Sequence, residues 1–196
     1  MRHLNYKNIL VILLLLIVPG HAYANAGIPM LILAIPAFAI SLLPIILIEA
    51  LYLSKSMALP IFRSAKTVSI SNLISTIVGI PLTWFVLVLL QLLTGGSSAY
   101  RIDTTLGKIL SVTWQAPWLI PHGKDLDWMI PAAGMVLMVP FFFVSWWSEY
   151  FVSKKLLPER SSNELKVKVR NANLITYSLL VLWPLTMFLL NYTSSQ

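Results

Sequence analysis

Ile48-Glu49-Ala50-Leu51-Tyr52-Leu53-Ser54-Lys55 closes a long apolar run, and a basic stretch then leads into a second run that opens Ser71-Asn72-Leu73-Ile74-Ser75. About a hundred residues later the pattern returns: Trp147-Ser148-Glu149-Tyr150-Phe151-Val152-Ser153-Lys154-Lys155, a basic stretch, then Ala172-Asn173-Leu174-Ile175-Thr176. Glu and Asn are 23 residues apart in the first copy and 24 in the second. Lys55 and Lys155 each follow their glutamate by six residues. This agreement predicts a duplicated helical hairpin that carries a carboxylate and an amide within a membrane.

The surrounding composition fixes the class. Hydrophobic residues make up 58% of the 196-residue chain and charged residues only 11%. Apolar runs this long exceed what a strand or a helix buried in one small soluble core requires. The expected fold is therefore an all-α integral membrane protein with four transmembrane helices, arranged as two hairpin repeats behind an N-terminal signal peptide. With no cysteine in the sequence, disulfides, thiolate metal sites and cysteine nucleophiles are excluded together.

Residues 1–24 read as the signal peptide: Arg2 and Lys7 supply a positive start, Ile9 to Val18 an apolar run, and Ala22-Tyr23-Ala24 a small-x-small cleavage pattern. Ten helical residues reach only ~15 Å, half of a bilayer's hydrocarbon thickness. Residues 25–196 form one expected membrane domain, with repeat one at 27–94, an outer loop at 95–128 and repeat two at 129–192. Spans are expected at 27–54, 68–94, 129–153 and 169–190.

Charge orients these spans. The stretch 55–67 carries Lys55, Arg63 and Lys66 with no acid, and 154–168 carries Lys154, Lys155, Arg160, Lys166 and Lys168 against Glu159 and Glu164. The connection 95–128 balances Arg101, Lys108 and Lys124 against Asp103, Asp125 and Asp127. Positive-inside asymmetry places both basic stretches in the cytoplasm and both mature termini outside. The expected location is a bacterial inner (plasma) membrane. Both hairpins then enter from the same side, so the repeat is parallel, and equivalent residues share a depth around an axis along the membrane normal. Counting back from the lysines puts Glu49 and Glu149 ~9 Å inside the headgroups.

Asn72, Ser75, Thr76, Gly79 and Thr83 fall on one helical face, and Asn173, Thr176 and Tyr177 repeat its start. Small and hydroxyl-bearing faces serve close helix packing and interhelical hydrogen bonds. The candidate intramembrane polar cluster is Glu49, Asn72, Ser75, Thr76, Glu149, Asn173 and Thr176. An ionisable group inside a span costs up to ~3 kcal/mol, so such residues either bind something or lock helices together. Pro29 and Pro131 suit first helical turns, while Pro36, Pro44 and Pro140 are expected to bend or break spans one and three. Trp114, Trp118 and Trp128 suggest a connection lying along the outer headgroups.

Catalytic signatures are lacking. His122 is the one histidine beyond the signal segment, and no metal-ligand spacing, phosphate loop or nucleophile elbow occurs. No cofactor, metal or enzymatic activity is expected. The basic residues lie beside the membrane, where Lys55, Arg63, Lys66, Lys154 and Lys155 would meet anionic lipid rather than nucleic acid. The expected function is an accessory or assembly subunit of a membrane complex. The alternative is a small proton-, cation- or solute-permeation unit built on the Glu/Asn cluster, self-associated or within a larger complex.

Overall fold

The computed structural model describes residues 27–95 and 99–194, with side chains to residue 191. The signal-peptide reading of residues 1–24 lies outside the described residues.

Four helices are long and apolar enough to cross a bilayer: span one Met30–Ser56, span two Ile61–Thr94, span three Gly123–Leu156 and span four Ser162–Asn191. Mean hydropathy over their most apolar windows falls from 2.8 in span one to 1.7 in span four. The chain is thus a multi-pass helical membrane protein, with one two-residue antiparallel strand pair among the described residues, β1 (Ile28–Pro29) against β2 (Trp118–Leu119).

The basic connections are shorter than expected. Span one runs to Ser56 and span two begins at Ile61, directly after Pro60 in extended geometry. The turn between them passes through Ala58 at φ 48° and is tied by Ser54 Oγ donating to the Leu59 carbonyl at 2.8 Å. Arg63 and Lys66 therefore sit on the first turns of span two, and Lys166, Lys168 and Arg170 on those of span four. Polar residues at helix ends resemble loop residues in a hydropathy reading, because helices need not stop where the hydrocarbon does. Arg63 bridges to Glu159 at 2.7 Å and joins the two turns across the hairpins.

Proline effects also fall elsewhere than expected. Helix runs without a break through Pro36 and Pro44 in span one and through Pro140 in span three, and Pro131 lies beyond the first turn of a helix that starts at Leu126. The interruptions are in spans two and four. Ser75–Gly79 forms a π-helical segment just before Pro81, and span four has a one-residue turn at Val181 just before Pro184. Each proline lacks the amide hydrogen that would reach back into the preceding turn, so the ladder must re-form around it.

The connection after span two folds onto the bundle. Thr104 caps the helix Thr105–Thr113 by accepting from the Gly107 amide at 3.1 Å, and a Cβ on Gly107 would lie 1.6 Å from the Arg101 carbonyl oxygen. Ser111, Ala116 and Leu119 are fully buried. Trp84 Nε1 donates to the Pro117 carbonyl at 2.7 Å, which fastens this cap to span two.

Two apolar clusters divide the bundle. At the end with the basic turns, Ala50, Leu53, Val68, Tyr150, Val169 and Ala172 meet from all four spans. At the other end, Met129, Ala133, Leu137 and Phe141 of span three pack with Ile80 and the cap, and span one contributes only Met30 to the buried set.

Candidate functional site

Both glutamates project inward between the two clusters, where they are buried with 2% and 3% exposure. Glu49 Oε2 accepts from Asn72 Nδ2 at 2.7 Å, and Glu149 Oε2 accepts from Asn173 Nδ2 at 2.8 Å. Each amide spends its second hydrogen on the carbonyl four residues back, Val68 or Val169, both at 3.2 Å. The carboxylate and amide thus meet within each hairpin, as their spacing predicts.

The remaining carboxylate oxygens reach across. Glu49 Oε1 accepts from Thr176 Oγ1 of span four at 2.7 Å, and Glu149 Oε1 accepts from Ser75 Oγ of span two at 3.1 Å. Ser75 and Thr176 each lie three residues beyond the asparagine of their own hairpin, so the exchange is reciprocal. The two carboxyl groups also lie within hydrogen-bonding range of one another. Six of the seven candidate residues, Glu49, Asn72, Ser75, Glu149, Asn173 and Thr176, form this one network. Thr76 faces the adjoining cavity and makes none of these bonds.

Positive charge is missing from the network. Among the described residues the ion pairs are Arg63 with Glu159 and Arg101 with Asp103, all well exposed. Lys55 and Lys155 are exposed too. A carboxylate pair taken out of water is costly unless it is paired, since attraction to a nearby positive charge must offset the lost hydration. Asn173 Oδ1, fully buried, has no hydrogen-bond partner. The site therefore presents carboxylate oxygens and an amide oxygen with nothing positive among its own side chains.

A cavity of about 640 Å³ reaches this network and is lined by Glu49, Asn72, Ser75, Glu149 and Asn173 at one end. Its walls rise along span one from Ile45 to Leu33 and along span four from Tyr177 to Pro184, with Met138 and Phe141 opposite. Beside the carboxyls, Ser145 Oγ and Tyr177 Oη are bonded at 2.8 Å. Ser145 escapes a reading based on the Glu/Asn pattern, although its place one helical turn before Glu149 was a usable signal.

Compared with protein-family models, curated proteins and solved structures, the chain matches none. Its class is defined by the helices and the site alone: a four-span membrane protein with a buried polar network.

Proposed function

We propose that this protein is a small permeation or transport unit that binds a proton or small cation between Glu49 and Glu149. The observation that carries this reading is the cavity reaching two carboxyl groups that have no counter-charge of their own. A proton or cation would supply the missing charge, and Asn72, Asn173, Ser75 and Thr176 would hold the carboxyls in place around it. In this reading the chain is two parallel hairpin repeats, and the reciprocal bonds of Glu49 to Thr176 and of Glu149 to Ser75 are equivalent contacts around one axis along the membrane normal.

The reading includes a cleaved signal peptide over residues 1–24, basic turns in the cytoplasm facing anionic lipid, and both mature termini outside a bacterial inner membrane. Self-association or membership of a larger complex belongs to the same proposal.

A second reading has its own support. All four carboxylate oxygens already accept a hydrogen bond, two of them from the opposite hairpin, as a lock between hairpins requires. This favours an accessory or assembly subunit. Purified protein in vesicles separates the two readings. For a transport unit, Glu149→Gln folds to near-normal abundance and lowers proton or cation flux about tenfold or more. For a lock, the wild type carries no flux above empty vesicles, and the variant loosens the bundle and lowers its abundance.

A further inference from the structure

The cavity is far larger than a proton or a small cation needs. Its volume of about 640 Å³ is on the order of twenty times the share of one water molecule and falls in the range of small-molecule sites. It is also long. From Glu49 to Leu33 the lining follows sixteen residues of continuous helix, or ~24 Å, most of a ~30 Å hydrocarbon layer.

Polarity is concentrated at one end. Above the network the lining includes Pro36, Phe38, Ile40, Leu180 and Trp183, with Ser41 the polar exception on span one. The Ser41 hydroxyl is already turned onto its own helix, donating to the Phe38 carbonyl at 3.2 Å. A path for a hydrated ion would need polar groups along its length, because each shed water must be replaced. This cavity offers acceptors at its base and apolar contact elsewhere. Buried Asn173 Oδ1, without a partner, is a further acceptor at that base.

We infer that the ligand of this site is an amphipathic amine: a protonated amino head seated between Glu49 and Glu149, with an apolar body lying along span one toward Leu33. The inference rests on the binding reading above and names its substrate class. An ammonium head supplies the absent positive charge and several N–H donors, which match the free lone pairs of the carboxylates and Asn173 Oδ1. The body exchanges lipid contact for contact with Phe38, Leu180 and Trp183. A carboxylic amphiphile of equal length would bring like charge to the base and be excluded.

The test uses the whole protein in phosphatidylcholine vesicles, whose headgroup has no N–H to donate. The probe is dodecylamine brominated at the tail, and the readout is quenching of tryptophan fluorescence. The expected result is saturable quenching, partly removed by Trp183→Phe, with a half-saturation about tenfold or more below that of brominated dodecanoic acid. Glu49→Gln and Glu149→Gln each raise the amine's half-saturation about tenfold. Should those variants fail to fold, Ala37→Phe serves instead, since Ala37 lines the slot and the change adds no tryptophan to the readout. It narrows the slot away from the carboxyls, weakening dodecylamine while leaving butylamine competition unchanged. Equal, unsaturable quenching by amine and acid overturns the inference. If flux depends on Glu149 but the amine does not saturate, the cation reading stands and this one falls. If the amine saturates and no flux occurs, this one stands without transport.

Discussion

Spans one and three each hold a buried glutamate but are packed very differently. Span three buries residues along its whole length, from Met129 through Ala133, Leu137, Phe141 and Ser145 to Glu149 and Ser153. Span one buries Met30 at one end and Glu49, Ala50 and Leu53 at the other, and Ile40 between them is 79% exposed. At the basic turns the two helices behave alike. Toward the cap, span three is the core and span one stands off from it, touching Phe141 through Phe38 with ring centroids 6.1 Å apart. The interval left along span one is the cavity. The cavity thus arises where the two helices stop being packed alike.

The largest effect that would sharpen this comparison is expected at the shared network. Asn173→Leu removes the donor to Glu149 and strands a buried carboxylate, which should cost about 3 kcal/mol or more, read by equilibrium unfolding in mixed micelles. Asn72→Leu should cost a similar amount, because Asn72 is likewise buried and donates to Glu49 at 2.7 Å. A negligible loss at either would show that the carboxylate does not depend on its amide.

Next comes the contrast between the spans themselves. Phe141→Ala on span three should cost about 2 kcal/mol, because in lipid the transfer contribution vanishes while the unfilled space remains. Ile40→Ala on span one should change stability by less than ~0.5 kcal/mol. A large loss at Ile40 would mean that span one is packed after all and that the cavity is closed.

Smaller still are the cross-hairpin hydroxyls. Thr176→Val and Ser75→Ala each remove one bond to a carboxylate and should cost about 1 to 2 kcal/mol. Both hydroxyls also bond backbone carbonyls of their own helix, Ser75 to Asn72 and Thr176 to Asn173, so neither is solely a bridge. Because the two carboxyls adjoin, the double variant should depart from additivity by about 0.5 kcal/mol or more. Strict additivity would show two independent sites rather than one network.

Much of this was legible in the sequence. Apolar run length gave the four helices, and the matched Glu-to-Asn spacing placed each carboxylate against its own amide, because both contacts lie within one hairpin. The crossed bonds from Ser75 and Thr176 were not legible, since they depend on how the hairpins dock. Helix ends were not legible where Arg63, Lys66 and Lys168 continue a helix past its apolar part. The fold of the cap was not legible, because Trp114, Trp118 and Trp128 carry no local signal for the pairing of β1 with β2. The cavity had no local signature at all: Pro36, Ile40 and Leu33 look like any lipid-facing residues until span one is seen to stand away from span three.

If the proposed function holds, the buried carboxyl pair is open to the cavity and holds a positive charge there. The most direct measurement treats folded protein in vesicles with an apolar carbodiimide, which reacts with protonated carboxyl groups, and maps the adduct by mass. The expected result is modification at Glu49 or Glu149 in the folded state, with the carbodiimide adduct lost in saturating dodecylamine, either by protection of the carboxyl or by its conversion to the dodecylamide with release of the urea. Modification that appears only after unfolding would contradict it and leave the pair as a sealed lock between two hairpins.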